Sequence, residues 1–353
     1  MPGQGILFIL VGPSAAGKNT LMKRVQAQFA DLRQLATATT RAIREGEQPG
    51  REHLFVTREE FQRLIDTGAL IEYQPVHIGD LYGTPRQTVE DALAQDRDLI
   101  ADIEFLGASK VYEVYPDNTV LIFVTPSSLH LLPERIRQRG NVKRGELEHR
   151  LARARFEMTF APRCHYLILN DLLEPATEHL RQIIVSERQR RRHDAGHQAA
   201  NLARPIFHSA AIALLRHEDK LLMNSGGEEL PTFPVSGAES LPHEILLRDL
   251  GQAVGQTIRI EAIADDRFDF VPPHYVTLAV IPRDAYVYFY YKCAPLTARP
   301  APMPGWVWRP VSELNLADAI VRLVESRRPR FPKFSGQISN IALNSTIRWK
   351  HRR

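Results

Sequence analysis

The chain has 353 residues, which is more than one ordinary hydrophobic core accommodates and enough for two domains. Apolar residues make up 44% of the sequence and charged residues 24%, which excludes an intrinsically disordered chain. The 45 basic residues exceed the 41 acidic ones by four, and the isoelectric point near 9.1 is of the kind found in nucleic-acid-binding proteins. The two cysteines, Cys164 and Cys293, exclude a disulfide scaffold and a cysteine-rich zinc site.

The excess positive charge lies at the C-terminal end of the sequence. From Arg327 to Arg353 there are eight Lys or Arg residues and no Asp or Glu, so this segment carries +8 and the rest of the chain −4. Nucleic acid is therefore not expected as a partner, except through a basic tail at residues 333–353. No stretch approaches the ~20 apolar residues of a membrane span, and no basic segment precedes the first apolar run. We expect a cytoplasmic protein without membrane contact.

Apolar strands alternate with amphipathic helices through the first half of the chain. Ile6–Val11 is an uninterrupted apolar run, which is typical of a strand buried on both faces of a parallel sheet. Further strands are predicted at Asp98–Ile103, Asn118–Thr125 and Tyr166–Leu169, and helices at Arg58–Thr67, Thr88–Ala94 and Gly145–Met158. This order predicts an α/β domain with a parallel sheet and flanking helices.

The pattern changes in the second half of the chain. Residues 187–205 mix charged and small polar residues without hydrophobic periodicity, so we interpret them as a linker that begins as the end of a helix. Residues 206–332 predict a C-terminal α+β domain, and the basic tail follows it. The predicted elements of this domain are a hairpin of Phe207–Leu215 and Lys220–Met223, a helix at Pro242–Val254, and strands at Tyr275–Val280 and Ala285–Tyr291.

A glycine-rich loop follows the first predicted strand. From Gly12 to Thr20 it has the spacing of a P-loop, in which backbone N–H groups surround phosphate oxygens at the start of a helix. Lys18 is placed to reach the bridging and terminal phosphates, and Thr20 to bind an inner one. The standard motif has a magnesium-binding Ser or Thr after the lysine, whereas this chain has Asn19. We therefore expect a weaker or water-mediated metal contact.

Two arginines indicate what receives the phosphate. Arg41 and Arg44 lie three residues apart and follow the hydroxyl-rich stretch Thr37–Thr40. Such a pair can hold a monophosphate through charge-assisted hydrogen bonds. The sequence therefore combines a site for a nucleotide donor with a site for a phosphorylated acceptor.

Over residues 4–186 the chain resembles the guanylate kinase family, whose motifs occur here in order. Besides the P-loop, the matching positions are Arg41, Arg44, Glu47, Gly50, Glu72, Tyr82, Gly83, Thr84, Asp102, Glu104, Gly107, Arg135, Arg139, Arg150, Asn170 and Asp171. Many correctly spaced matches are far more specific than any single motif. The resemblance implies a P-loop sheet with a lid, and ATP-dependent phosphorylation of GMP or dGMP to GDP by in-line transfer, with ATP and Mg²⁺ as cofactors.

The resemblance also implies a role for each matching residue. The ATP phosphates would bind the loop residues Gly12, Pro13, Ser14, Ala15, Ala16, Gly17, Lys18, Asn19 and Thr20, with Asn170 on the adenine side or in a structural role. The GMP phosphate would bind Arg41, Arg44 and Tyr82, and the guanine would face Thr37, Glu72, Thr84, Asp102 and Glu104. Catalysis would depend on Lys18 and on the lid arginines Arg135, Arg139 and Arg150, whose charge stabilises the transferring phosphoryl group.

Two departures from the family pattern leave alternatives open. His53, a candidate substrate-binding residue, stands where guanylate kinases usually have a phosphate-binding tyrosine, and an extra residue lies between Glu72 and Tyr82. A ribose 1,5-bisphosphokinase of phosphonate metabolism resembles the chain at His53 and in the polar residue after Lys18, but lacks the guanine-reading carboxylates. We therefore favour GMP over the sugar phosphate. A non-catalytic nucleotide-binding module is a third interpretation, which the retained Lys18 disfavours.

Residues 206–332 resemble a Nudix domain, chiefly in a helix that carries Arg248 and Asp249 after a glycine-containing loop. A catalytic Nudix helix needs a cluster of carboxylates to hold magnesium against a diphosphate. The two glutamates expected after Asp249 are here Gln252 and Ala253. We therefore expect a degenerate Nudix-like domain that binds, regulates or stabilises, without hydrolysing a diphosphate.

Overall fold

The computed structural model describes residues 5–44, 46–76, 79–138, 144–193, 206–224, 230–235, 240–255, 257–261, 272–281, 284–296 and 305–310. In these ranges the α-helices are α1 (Lys18–Gln26), α2 (Arg58–Asp66), α3 (Arg86–Ala94), α4 (Phe105–Val114), α5 (Leu132–Arg137), α6 (Arg144–Met158), α7 (Leu173–His193) and α8 (Pro242–Val254). The strands are β1 (Leu7–Val11), β2 (Arg33–Gln34), β3 (Thr37–Thr39), β4 (His53–Phe55), β5 (Leu70–Val76), β6 (Asp80–Pro85), β7 (Leu99–Asp102), β8 (Thr119–Thr125), β9 (Tyr166–Leu169), β10 (Ile206–His217), β11 (Lys220–Asn224), β12 (Thr232–Pro234), β13 (Ile258–Ile260), β14 (Tyr275–Ile281), β15 (Asp284–Pro295) and β16 (Trp306–Pro310). No helix among these residues is long and apolar enough to cross a bilayer.

The chain divides into two compact units. The first unit consists of Met1–Ser127, Glu134–Asn141 and Cys164–Pro205. The second unit consists of Ser128–Pro133, Val142–Arg163 and Ile206–Arg353. The segment that contains α6 therefore belongs to the second unit, although the chain returns to the first unit after it.

A five-stranded parallel sheet forms the centre of the first unit, with the order β2-β7-β1-β8-β9. All five residues of β1 are buried, because the strand is apolar on both faces. Phe8 and Leu10 of this strand share one core cluster with Leu21 and Val25 of α1. The predicted parallel α/β fold and its four predicted strands are confirmed, as are helices α2, α3 and α6. Helix α3 begins two residues earlier than predicted, directly after Pro85.

A four-stranded sheet of order β4-β3-β6-β5 lies in the same unit, and the sequence patterns above do not predict it. Its strands are hard to recognise because β3 and β4 have three residues each, and because β5 shifts register between Leu70 and Glu72. Phe61 of α2 is fully buried against Ala38 and Leu70 of this sheet. The sheet thus has its own small core.

The second unit contains a seven-stranded mixed sheet. Its main path is β13-β15-β10-β11-β16, with β12 paired to β10 and β14 paired to β15. The predicted hairpin is confirmed by the antiparallel pairing of Arg216 with Leu221, and the two predicted later strands pair as β14 and β15. Helix α8 has its predicted bounds and ends at Gly255, which has a left-handed φ of 66°. The predicted α+β organisation is therefore confirmed.

Helix α7 continues to His193, well into the segment that the sequence predicts as a linker. Glu187 is 2% exposed and accepts a hydrogen bond from the Tyr166 hydroxyl at 2.5 Å. Arg188 donates to Asp98 at 2.7 Å. These long-range contacts hold the last turns of the helix to the first unit, and no local sequence pattern announces them. Residues 194–205 lie outside the described residues.

Candidate active site

The P-loop joins β1 to α1 at the edge of the parallel sheet where the strands end. Gly17 precedes α1 with a left-handed φ of 88°, and no side chain caps the helix, so its first backbone N–H groups are suited to an anion. Ala15 has a φ of 67°, a conformation that costs about 1–2 kcal/mol for a residue with a Cβ. The Lys18 ammonium donates to the carbonyls of Gly12 at 2.6 Å and Pro13 at 3.2 Å. The lysine is thus folded back over its own loop.

Asn170 supports the P-loop through a hydrogen bond to its backbone. It follows β9, is 6% exposed, and its Nδ2 donates to the carbonyl of Ala16 at 2.8 Å. A Cβ at Gly17 would lie 2.4 Å from the same Nδ2, so only glycine fits there. Arg135 donates to the Asn170 carbonyl at 2.9 Å. Of the two roles that the sequence leaves open for Asn170, these contacts favour the structural one.

Asp102 lies against the P-loop lysine. Strands β1 and β7 are parallel neighbours with Leu10 opposite Asp102, so both strands end at the same edge of the sheet. The Asp102 carboxylate is 3.6 Å from the Lys18 ammonium, with side-chain exposures of 25% and 13%. The resemblance implies a guanine-facing role for Asp102, and in the structure its carboxylate lies against the P-loop lysine. The two predicted strands that end here were the signal for this contact.

Arg41 is held in one orientation by two side chains and by the backbone carbonyl of Ala42. It is 8% exposed, its Nε donates to the Tyr82 hydroxyl at 2.8 Å, and its two terminal nitrogens donate to Glu47 at 3.0 and 2.8 Å. This bidentate contact lowers the pKa of the Glu47 carboxyl. Glu47 also accepts from the backbone N–H of Arg44 at 2.8 Å, while the Arg44 side chain is exposed. Glu47 is a motif position in the sequence, but only the structure shows that it orients Arg41.

His53 belongs to the same group of side chains. Strands β3 and β4 place it opposite Thr37, and its Nδ1 is 2.8 Å from the Thr37 hydroxyl oxygen. Its ring meets the Tyr82 ring edge-on, with centroids 5.7 Å apart. Burial and the charge of Arg41 lower the pKa of His53 below its ordinary value of 6.5. The imidazole is therefore neutral at pH 7.

Glu72 presents a largely desolvated carboxylate. It lies opposite Thr84 in the β5–β6 pairing and accepts a hydrogen bond from the Thr84 hydroxyl at 2.6 Å. A Cβ at Gly107 would lie 2.5 Å from its other oxygen, so the glycine is required for this approach. Burial raises the pKa of Glu72. A carboxylate in this state gains most from a ligand that brings N–H donors to it.

Glu104 borders the same glycine from the start of α4. In its hydrogen-bonding orientation, the Gln74 amide donates to the Glu104 carboxylate and accepts from the backbone N–H of Gly107. The structure therefore brings Glu72 and Glu104 together around Gly107. Gln74 is a residue that sequence reasoning missed, because it carries no motif and is identified only by its place on β5.

The lid arginines are divided between the two units. Arg135 lies in the first unit, beside Asn170, whereas Arg150 lies on α6 in the second unit. Arg150 donates to Glu146 of its own helix at 2.6 Å. Arg139 lies outside the described residues. A common site for these three arginines therefore stays a prediction.

Two side chains near the P-loop lysine offer oxygen ligands: Asp102, whose carboxylate lies 3.6 Å from the Lys18 ammonium, and Asn19, the exposed next residue in the sequence. Both are hard ligands of the type that Mg²⁺ prefers. Across the described ranges, no group of three or more His, Cys, Asp or Glu side chains is arranged to hold a metal. The donor set fits a magnesium ion that brings most of its ligands with it.

The helix compared above with a Nudix helix carries a surface ion pair. Arg248 donates to Asp249 at 2.6 Å, and the two side chains are 58% and 34% exposed. The neighbouring positions Gln252 and Ala253 add no charge. Tyr290 and Tyr291 of β15 are fully buried, so these two aromatic side chains pack in the core.

The first half of the chain is similar to known proteins in sequence. A sequence model described as guanylate kinase matches residues 4–187. A guanylate kinase of Symbiobacterium thermophilum is 40% identical over 187 residues, which are 53% of this chain and 88% of that protein. A crystal structure of guanylate kinase from Anaplasma phagocytophilum is 31% identical with a TM-score of 0.42, covering 53% of this chain and 87% of that one. A Nudix-family hydrolase from Clostridium perfringens is 14% identical with a TM-score of 0.25, covering 33% of this chain and 97% of that one.

Proposed function

Because the chain belongs to the guanylate kinase family, we propose that it transfers the γ-phosphoryl group of ATP to the phosphate of GMP or dGMP. The observation that carries this proposal is that the sheet β4-β3-β6-β5 and the loop beside it contain two groups of side chains suited to GMP. They hold a phosphate-binding group, Arg41 with Tyr82, and a carboxylate–hydroxyl pair, Glu72 with Thr84. The first suits a monophosphate and the second suits a base that offers N–H donors.

The P-loop supplies the ATP site in this proposal. The uncapped start of α1 and the backbone of the loop bind the phosphate oxygens. Lys18 exchanges its contacts with the Gly12 and Pro13 carbonyls for the bridging and terminal phosphates, and Asp102 keeps the ammonium oriented during the exchange. Asn170 holds the loop in shape but does not itself need to touch the nucleotide.

Guanine is selected by its hydrogen-bond donors. Its N1–H and N2–H₂ groups can both donate to the Glu72 carboxylate, whereas adenine offers no donor at the equivalent position. Burial raises the pKa of the Glu72 carboxyl in the free protein. The N–H donors of guanine stabilise the ionised form, so binding of the base favours the carboxylate. Glu104, which lies with Glu72 around Gly107, and Thr37, which lies beside His53, would complete the recognition of the base.

Transfer requires positioning and positive charge, and no covalent enzyme intermediate. An oxygen of the GMP phosphate forms a bond to the γ-phosphorus while the bond to the bridging oxygen of ATP breaks, and ADP leaves. Lys18 and Arg41 offset the charge on the donor and acceptor phosphates. The lid arginines Arg135, Arg139 and Arg150 complete the positive environment of the transferring group.

Magnesium would be bound chiefly by the nucleotide phosphates. Oxygens of Asn19 and Asp102 would hold it, directly or through water. When bound, the ion neutralises charge on the β- and γ-phosphates. Lys18 supplies charge to the same oxygens from the loop.

The proposed kinase activity leads to assignments for the domains and for the location of the protein. We take residues 4–186 as the kinase domain, 187–205 as a linker that begins with the last turns of α7, 206–332 as a Nudix-like domain and 333–353 as a basic tail. The exposed Arg248–Asp249 pair supports a C-terminal domain without hydrolase activity. A cytoplasmic location suits the proposed nucleotide substrates, and nucleic acid is expected only at the tail.

Initial rates of ADP release test the proposal, with GMP, dGMP, AMP and ribose 1,5-bisphosphate offered separately as acceptors. We expect turnover with GMP and dGMP, and a kcat/KM for GMP roughly 100-fold or more above that for AMP. Preferential turnover of ribose 1,5-bisphosphate would identify a sugar-phosphate kinase instead. Binding of nucleotides without turnover of any acceptor would identify a non-catalytic module.

A further inference from the structure

We propose that Gln74 of β5 is a positioning residue in the acceptor site: it caps helix α4 in place of Glu104 and holds the Glu104 carboxylate beside Glu72. The inference rests on the proposed function, which gives Glu104 a part in recognising guanine. Strand β5 and helix α4 both belong to the first unit. None of the motifs that the chain shares with guanylate kinases includes Gln74, so its assignment depends on the structure alone.

The register of β5 places Gln74 on the face of the sheet that carries the proposed acceptor groups. Side chains two residues apart on a strand point to the same side, so Gln74 shares this face with Glu72. The antiparallel partner β6 sets Thr84 opposite Glu72 and Tyr82 opposite Gln74. Helix α4 packs against β5, and the half-buried side chain of Gln74 reaches the start of this helix.

The start of α4 does not use the side-chain cap that its own sequence offers. Glu104 precedes the helix and its backbone carbonyl accepts from Ala108 at 2.8 Å, but its carboxylate makes no cap hydrogen bond. The first N–H groups of a helix have no partner within it, and an acidic residue at this position commonly accepts from one of them. Here the Gln74 amide oxygen accepts from the N–H of Gly107, the third residue of α4. Gln74 thus supplies the cap from another element.

The other end of the same amide orients Glu104. The Gln74 amide nitrogen donates to the Glu104 carboxylate. An amide carries a donor and an acceptor, so it can bridge a backbone N–H and a carboxylate at once. Because the amide is uncharged, it orients the carboxylate without neutralising it, as a lysine or arginine at this position would. The hydrogen bond holds Glu104 beside Gly107, against which the Glu72 carboxylate also lies.

Helix α4 is a fixed support for this contact, because it packs against β1 and β8 of the parallel sheet. Three of its side chains are at most 5% exposed: Phe105, Ala108 and Val111. Gln74 therefore joins the strand that carries Glu72 to a helix held by the sheet of the P-loop. Loss of this link should let Glu104 turn away from the base, while the P-loop keeps its geometry. The expected signature is a raised KM for GMP with kcat nearly unchanged.

Steady-state kinetics on the full chain test the proposal with two substitutions. Gln74→Glu keeps an acceptor for the Gly107 N–H but sets a carboxylate against Glu104, so KM for GMP should rise roughly 10-fold with kcat within about twofold. Gln74→Ala removes both hydrogen bonds, so KM should rise and the melting temperature should fall by about 2–4 °C. Gln62→Ala is the matched control, because it removes an exposed glutamine–carboxylate hydrogen bond of 2.7 Å on α2 and should keep the wild-type KM.

A double-mutant cycle separates positioning from a direct contact of Gln74 with the base. If Gln74 acts through Glu104, KM for GMP in Gln74→Ala/Glu104→Ala should equal that in Glu104→Ala alone. Independent, multiplied effects of the two substitutions would overturn the inference, as would a wild-type KM in either Gln74 variant. In both cases GMP turnover by the wild-type chain would still support the proposed function.

A wild-type chain that does not phosphorylate GMP would refute the proposed function instead. The melting temperatures of the wild type, the two single alanine variants and the double variant would then decide whether Gln74 holds Glu104. Non-additive changes in melting temperature would support the contact, and additive changes would overturn it.

Discussion

The starts of helices α1 and α8 show how differently the two units use the same structural feature. Helix α1 follows the left-handed Gly17 without a side-chain cap, so its first N–H groups are suited to phosphate. At the start of α8, the Glu244 carboxylate accepts from the backbone N–H of Leu241 at 2.7 Å. One helix start is prepared for an anionic ligand, and the other is completed by an anionic side chain of its own first turn.

The ion pairs near these helices differ in the same sense. Lys18 and Asp102 have side-chain exposures of only 13% and 25%, and they connect the start of α1 to the end of β7. Arg248 and Asp249 are 58% and 34% exposed and are neighbours on one helix. Exposed pairs contribute little to stability and carry no geometry for a ligand. The comparison places the features suited to phosphate in the first unit.

The largest effect is expected from Lys18→Ala. If this variant kept its activity, the proposed difference between the starts of α1 and α8 would be wrong. Removal of this ammonium should lower kcat for GMP phosphorylation by roughly 1000-fold or more, because its charge acts on the transferring phosphoryl group. Lys23→Ala is the control on the exposed side of the same helix, and it should retain wild-type kcat. Similar melting temperatures of the two variants would show that the loss is chemical. Wild-type-like turnover by Lys18→Ala would remove the P-loop from the mechanism.

Glu72→Gln sharpens the assignment of the acceptor site. The substitution preserves shape but offers guanine one acceptor and one donor, so kcat/KM for GMP should fall roughly 100-fold. Since burial raises the pKa of Glu72, the neutral amide should leave the melting temperature unchanged or higher. Steady-state kinetics and thermal unfolding on one preparation check both statements. Equal kcat/KM values for Glu72→Gln and wild type would exclude Glu72 from guanine recognition.

A moderate effect of pH is expected through His53. A bound phosphate favours the charged imidazole, whereas burial and Arg41 lower the pKa of His53 in the free protein, so binding takes up a proton. KM for GMP should therefore rise several-fold, by up to about tenfold, between about pH 6 and pH 8. The phosphate of GMP also titrates in this range, and it does so equally for the wild-type chain and for His53→Tyr. In the variant, the part of the pH dependence of KM that comes from the histidine should disappear. Identical pH profiles for the two proteins would show that His53 does not contact the phosphate.

The smallest effect is expected from Asp249→Asn on α8. Asp249 pairs only with the exposed Arg248 among the described residues, so kinase kinetics and the melting temperature should remain at wild-type values. Magnesium-dependent hydrolysis of ADP-ribose should be absent from both proteins. A hydrolase activity that Asp249→Asn abolishes would contradict the comparison, because the second unit would then have chemistry of its own.

Much of the first unit follows from local sequence patterns. The buried runs in β1 and β8 indicate a parallel sheet because they are apolar without alternation, and the motif spacing identifies Lys18, Arg41 and Glu72. The sheet β4-β3-β6-β5 escaped prediction because its strands are short and β5 is bulged. Its pairing is set by contacts between segments far apart in the sequence, which no local window records.

The missed features of the site have the same origin. Asp102 meets Lys18 because β1 and β7 pair with Leu10 opposite Asp102, a register that is set in three dimensions. The helical continuation to His193 depends on the Tyr166–Glu187 contact. Likewise, α6 joins the second unit through packing on β14, although its sequence neighbours belong to the first. In each case a distant partner decides the outcome.

The most direct test of the account is identification of the product when the full chain is incubated with ATP, Mg²⁺ and an equimolar mixture of GMP, AMP and ribose 1,5-bisphosphate. Chromatography of the mixture reports every acceptor in one experiment. We predict that GMP is converted to GDP, with an equal amount of ADP formed from ATP, while AMP and the sugar phosphate remain. Accumulation of a phosphorylated sugar with GMP unconsumed would contradict the account.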